Sequence, residues 1–328
     1  MDETSKRILT EIQKEFPLAH EPFRILGEKS GISQEACLER IRELKGEGLI
    51  REIAPVFNSK ALGYQSALVA MKVHPARIEE AARRISEHSG VSHNYERLDP
   101  FNLWFTIAAS SRQVLASEIE KLEALSGALK TMVLPEVKVF KIGVKFDLLS
   151  ACGGHEEAVS VPDARNGEGI PGFNKEDILF VKVFQEGIPV LEKPFEILSL
   201  QCGISEKGFF SKTDEWLNRG LIRRVSAALN HRKTGFSANA LVAWNIPEER
   251  REAAGRKIAR FSRVSHCYER AVPPEWPYPV FSMIHGTDEA DLDRILCRVI
   301  DQTGDFDRKV LRTGREFKKA KLKFFASL

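Results

Sequence analysis

The stretch Val91-Ser92-His93-Asn94-Tyr95-Glu96-Arg97 returns as Val264-Ser265-His266-Cys267-Tyr268-Glu269-Arg270, changed only where Asn94 becomes Cys267. Upstream, Pro22-Phe23-Arg24-Ile25-Leu26 matches Pro194-Phe195-Glu196-Ile197-Leu198, and Gly31-Ile32-Ser33 matches Gly203-Ile204-Ser205. Gly48-Leu49-Ile50-Arg51 keeps the same offset onto Gly220-Leu221-Ile222-Arg223, as do Asn58 onto Asn230 and Gly63 onto Gly235. Solenoid repeats run ~20 to 50 residues, so a period this long is the duplication of whole domains. The 328 residues provide length for several cores.

Within copy one, Ile8, Leu9, Ile12 and Phe16 recur at helical spacing. Pro22 opens a second helix, where its missing N–H costs little. Gly31-Ile32-Ser33 supplies a turn and an N-cap, and Ala36, Leu38, Ile41 and Leu44 form the apolar face of a third helix ended by Gly46 and Gly48. A wing strand follows at 50–57, making a helix-turn-helix unit. The remainder alternates between periods: strand 66–73, helix 76–89, strands 91–97 and 103–109, helix 113–125 and strand 132–142, the βαββαβ order of a ferredoxin-like domain. Copy two repeats it at 238–244, 248–261, 264–270, 280–285, 289–302 and 309–325.

The expected fold is therefore α+β, a tandem duplication forming an internal pseudo-dimer. Helix-turn-helix segments lie at 1–62 and 174–234, ferredoxin-like domains at 63–150 and 235–328, and a Gly- and Pro-rich linker at 151–173. Further homo-oligomerisation is left open.

Composition narrows the function. No apolar run reaches the ~20 residues a bilayer requires, and Met1 to Arg7 has no apolar signal core, so the chain is read as cytoplasmic and not membrane-bound. The cysteines, Cys37, Cys152, Cys202, Cys267 and Cys297, have no spacing suited to a metal cage or a disulfide framework, and no metal site is expected. A net charge of +3 gives no large field for nucleic acid. The third helix of copy one carries Glu35, Glu39 and Glu43, and that of copy two carries Gly208, Phe209, Phe210 and Trp216. These suit scaffolding better than a groove reader, so no specific nucleic acid is expected.

A helix-turn-helix, a wing strand and a βαββαβ domain resemble the Lrp/AsnC regulators, whose ligand domains pair through their sheets. The His-x-Tyr-x-Arg rows depart from that family. Together with Phe101-Asn102-Leu103-Trp104-Phe105-Thr106 and Trp276-Pro277-Tyr278-Pro279-Val280-Phe281-Ser282-Met283-Ile284-His285-Gly286, they are similar to siroheme decarboxylase, an enzyme of Lrp/AsnC architecture often built of two homologous subunits. The resemblance covers both copies and implies a fused form. It implies loss of two acetate carboxyls from siroheme, giving 12,18-didecarboxysiroheme in siroheme-dependent haem biosynthesis. Siroheme and related tetrapyrroles are the implied partners, with no cofactor beyond the iron in the substrate.

Alternation along a strand places His93, Tyr95 and Arg97 on one face, with Asn94 and Glu96 on the other. The decarboxylation needs a held carboxylate, a delocalised carbanion and a proton. Arg97 and Arg270 suit the first task, since a guanidinium grips a carboxylate through two parallel bonds. His93, His266 and His285 are candidate proton donors, and Tyr95 and Tyr268 either orient an acetate or act as the acid. Arg223, Arg224 and His231, near the copy-two wing, are candidate substrate contacts with exposed surface as the simpler account. Trp104, Trp276, Phe105 and Phe281 are candidate covers for a porphyrin face but read first as core, and Trp276 is kept among the substrate-binding candidates. The basic run 315–323 meets substrate carboxylates or, more simply, protects a solvated edge strand. Each His-Tyr-Arg row has its own structural reading, a satisfied polar network paired with Glu from the other copy. Beside the decarboxylase stand two other functions: a tandem Lrp/AsnC-type transcriptional regulator binding a small effector, and a tetrapyrrole sensor without turnover.

Overall fold

The computed structural model describes residues 2–142, 172–230 and 236–326. Of the linker only Gly172 and Phe173 fall within them, and His231 lies outside. Copy one runs α1 (Glu3–Lys14), α2 (Pro22–Ser30), α3 (Gln34–Gly46), β1 (Ile50–Phe57), β2 (Gln65–Lys72), α4 (Ile78–Glu87), β3 (Val91–Arg97), β4 (Leu103–Ala109), α5 (Arg112–Ser126) and β5 (Lys130–Ile142). Copy two runs α6 (Lys175–Phe184), α7 (Pro194–Gln201), α8 (Glu206–Asn218), β6 (Ile222–Leu229), β7 (Ala238–Trp244), α9 (Glu248–Arg260), β8 (Val264–Arg270), β9 (Val280–Gly286), α10 (Glu289–Thr303) and β10 (Arg308–Lys319).

Short-range chemistry fixes the helix ends. Asp2, Ser33 and Ser111 accept from the backbone N–H groups of Ser5, Ala36 and Val114, and Asn174 with Asp177 closes a reciprocal capping box. Pro22 and Pro194 stand in the first turns of α2 and α7. Gly31, at φ 76°, takes the left-handed conformation that stops α2.

The two helix-turn-helix segments merge into one core. Phe16, Phe23, Phe195, Phe209 and Trp216 pack in a single cluster, and β1 pairs antiparallel with β6, Ala54 opposite Ser226. The wing of each copy thus completes a ribbon with the other.

The ferredoxin-like sheets have the orders β5-β2-β4-β3 and β10-β7-β9-β8, and they join as one closed eight-stranded barrel. The joints are made by the long last strands. Residues up to Pro135 of β5 pair with β2, and from Glu136 onward the strand pairs with β8 of copy two. Likewise β10 pairs with β7 through Arg312 and with β3 from Thr313. Each copy covers the edge that the other would expose, which removes a template for aggregation.

This corrects the reading of 315–323 as a solvated edge. Lys318 donates to the carbonyls of Ser86 and His88 at the C-terminus of α4, and Lys141 of β5 does the same to Phe261 at the end of α9. Both lysines place a cation at the negative end of the other copy's helix. Phe140 lies so close to α9 that a Cβ on Gly255 would sit 2.5 Å from its ring, so any side chain there would force Phe140 to shift.

Candidate active site

A cavity of about 1000 Å³ opens where the barrel interior meets the β1–β6 ribbon. Ligand sites span roughly 300 to 1,000 Å³, so this one suits a large ligand. Both His-Tyr-Arg rows line it. Trp104 and Phe281 also line it and pack with Trp276 and Leu311 in the barrel interior.

The rows are not simple alternating strands. A register shift between Val91 and His93, and its counterpart between Val264 and His266, marks a bulge in each. Val91 stays in the core beneath the helices and Asn94 donates to the Ala82 carbonyl of α4. Ser92 and His93 therefore both reach the cavity, as do Ser265 and His266. The serines were not among the expected site residues, although their duplication beside each histidine was the available signal.

Within each row the flat groups stack. His266 and Tyr268 lie 6.0 Å apart at 19°, with the Arg270 guanidinium 4.9 Å from the Tyr268 ring. In copy one the values are 6.2 Å, 26° and 5.0 Å.

Arg97 and Arg270 are buried, and among the described residues no carboxylate lies within ion-pair distance of either. Arg270 donates through Nη1 to the Leu134 carbonyl at 3.0 Å. Arg97 donates to the Leu311 carbonyl at 3.3 Å and to the Thr313 hydroxyl, which in turn donates to Asn239. The Nε–H of each arginine has no acceptor. Burial lowers both guanidinium pKa values, that of Arg97 to about 10. The expected alternative network is half realised: the partners do come from the other copy, but they are carbonyls and a hydroxyl, not glutamates. Glu136, opposite Arg270 but beyond ion-pair distance, offsets only part of the cost of burying that cation. A buried cation without a paired counter-ion is costly, and a ligand carboxylate would relieve it.

The histidines are held neutral. Enclosure, then Lys319 and Arg51, lowers His93 to about 4. Enclosure, then His93, Lys319, Arg224 and Lys141, lowers His266 to about 3. Burial raises the Tyr268 pKa well above its usual value, keeping it a phenol. His285 lines the cavity and bonds through Nε2 to Ser265 Oγ at 2.8 Å.

Arg223 and Arg224 also reach the cavity, held by Asn58 and Ser226. Lys319 and Lys321 join them from the end of the basic run. Trp276 corrects the expectation of a porphyrin cover: packed against Phe101, Trp104 and Tyr278, it plugs the barrel and does not line the cavity. His231 belongs to no described part of the site.

Among known proteins, the AsnC-like ligand binding domain family matches residues 61–141 and 233–318, and the siroheme decarboxylase NirDL-like HTH domain family matches residues 5–51. A siroheme decarboxylase of Hydrogenobacter thermophilus is 37% identical over 98% of this chain and 94% of its own. The crystal structure of the siroheme decarboxylase NirDL is 31% identical with a TM-score of 0.76, covering 99% of this chain and 95% of that one. Its co-complex with an iron-uroporphyrin III analogue is 30% identical with a TM-score of 0.74 over the same shares. Among the described residues no helix is long and apolar enough to cross a membrane.

Proposed function

The chain belongs to the siroheme decarboxylase family, and from that premise we propose that it converts siroheme to 12,18-didecarboxysiroheme, releasing two acetate carboxyls as CO₂. The observation that carries this reading is the pair of buried guanidiniums, Arg97 and Arg270, facing one cavity without carboxylate partners among the described residues. Each is a receptor for an acetate, and two of them match a substrate that loses two.

The chemistry follows from the row. Arg97 or Arg270 grips the carboxylate through parallel charge-assisted bonds. Tyr95 and Tyr268, stacked between arginine and histidine, orient the arm through their phenols. As the C–C bond breaks, its electron pair delocalises into the macrocycle, and a histidine of the row delivers the proton that makes the methyl group. Arg223, Arg224 and Lys319 hold other carboxylates and fix the ring plane, and their excess positive charge draws the polyanion in. Iron enters only as part of the substrate, and no nucleotide, flavin or added metal is required. We place the enzyme in the cytoplasm, where the free thiols of Cys37, Cys202 and Cys267 stay reduced.

Anaerobic incubation of the purified protein with siroheme alone, followed by mass analysis of the pigment, tests this. Stepwise loss of two CO₂ is expected. Unchanged siroheme in the presence of well-folded protein would overturn the reading.

A further inference from the structure

In copy two the Ser265 hydroxyl lies between two imidazoles, 2.8 Å from His266 Nδ1 and 2.8 Å from His285 Nε2. It is buried, and its remaining contact is the Met283 carbonyl at 3.4 Å. Copy one has no such bridge. Ser92 bonds His93 Nδ1 at 3.0 Å, but Ala108 occupies the place of His285, pairing with Ser66 as His285 pairs with Asn239.

We propose that Ser265 is a positioning and relay residue that carries a proton from His285 to His266, making copy two the half that protonates the decarboxylated carbon. This rests on the decarboxylase reading. The need for a relay comes from the cavity itself. Enclosure of His266 opposes an imidazolium, and His93, Lys319, Arg224 and Lys141 add to that opposition. A neutral imidazole gives up its Nε2 proton readily only if Nδ1 gains one in the same event, and Ser265 is the group at Nδ1.

The step balances. The C–C bond to the carboxylate breaks, CO₂ leaves, and the electron pair stays on the methylene carbon. That pair takes the Nε2 proton of His266 and forms the new C–H bond. The Ser265 hydroxyl proton moves to His266 Nδ1, and the Nε2 proton of His285 moves to Ser265 Oγ as a solvent proton is taken up at His285 Nδ1. A solvent proton then adds at His266 Nε2, the Nδ1 proton returns through Ser265 to His285 Nε2, and His285 Nδ1 releases its proton to solvent. One solvent proton is consumed for each carboxyl lost.

The experiment compares parent, Ser265→Ala, Ser265→Thr and Ser92→Ala in anaerobic single turnovers in H₂O and D₂O, with siroheme affinity followed by absorption. Ser265→Ala should slow turnover about 10- to 100-fold with affinity within about threefold of the parent. It should also reduce a multi-proton solvent isotope effect to that of one proton. Ser265→Thr, which keeps the hydroxyl, should restore most of the rate. The loss in Ser265→Ala should exceed that in Ser92→Ala at least about tenfold. Equal losses in Ala and Thr, weakened binding, or an unchanged isotope effect would each overturn the relay. Nitrogen NMR of histidine-labelled protein keeps the inference separate from the decarboxylase reading. His266 should be the Nε2–H tautomer accepting at Nδ1, and a His266 protonated at Nδ1 in the unliganded protein overturns the relay even if the parent never turns over siroheme.

Discussion

The two His-Tyr-Arg rows are nearly identical in sequence and in stacking, yet their surroundings differ at three points. Beside His93 stands Lys319, where His266 has Ile142. Opposite Arg97 stands Thr313, which bonds it, and opposite Arg270 stands Glu136, which stays beyond ion-pair distance. His285 joins only the copy-two row. The first two differences come from the crossing strands β5 and β10, so each row takes part of its environment from the other copy. Duplication preserved the row and allowed its neighbours to diverge. One cavity thus holds two similar His-Tyr-Arg rows, of which only the copy-two row is extended by a Ser265–His285 bridge.

The sharpest way to break that comparison is to remove the imidazoles. His266→Ala should slow turnover by about 10² to 10⁴ with siroheme binding nearly intact, the size and signature of lost general acid assistance. His93→Ala should slow it less. Equal losses in single-turnover mass analysis would mean that both copies deliver protons.

The arginines sharpen it from the binding side. Arg270→Ala and Arg97→Ala should each weaken siroheme affinity before they slow turnover, by about 2 to 5 kcal/mol where the carboxylate is left buried and unpaired. An absorption titration reads this directly. The unliganded protein should respond in the opposite sense. Burying a cation without a paired counter-ion costs stability, and replacing buried ionic groups by apolar chains of similar volume is often neutral or stabilising. Arg97→Met should therefore melt no lower than the parent without ligand, and lose the parent's stabilisation by siroheme.

Acid titration separates the histidines more finely. The folded protein holds His93 at about 4 and His266 at about 3, against 6.5 for an ordinary imidazole. Between these values the unfolded chain binds protons that the folded chain does not. Their contribution to stability is therefore full above pH 6.5 and is lost as pH falls through the window toward the folded values. In denaturant melts, His266→Gln should flatten this acid slope more than His93→Gln, because its window is wider. Equal slopes would show that the two enclosures are alike.

The smallest effect is expected in the helical layer. The exposed acidic positions of α3 and the phenylalanine-bearing α8 should give only weak, salt-sensitive DNA binding without sequence preference in either copy. A discrete footprint that survives competitor DNA at physiological salt would restore the regulator reading.

Much of this was legible in the chain. The repeat, the βαββαβ order and the bounds of β1, β3, β4, β7 and β8 follow from periodicity, because a strand or helix shows its buried face in its own residues. The repeated row also marked residues that the structure brings to one cavity, and the roles proposed for them rest on their residue types. Ser265 was hidden, since strict alternation assigns it to the helix-facing side and only the bulge turns it toward the cavity. Trp276 was equally undetermined, because an aromatic near a site and an aromatic in a plug look the same in sequence.

What the sequence determined by itself is the duplicated frame and the chemical content of each row. What only the tertiary structure decided is how the copies close on one another. β5 and β10 each change partners midway, at Pro135 to Glu136 and at Arg312 to Thr313, and no local pattern marks those points as joints. Alternation is a property of one strand, whereas pairing depends on hydrogen bonds to segments more than a hundred residues away. Those cross-copy bonds close the barrel, supply the carbonyls that hold Arg97 and Arg270, and place Lys319 beside His93.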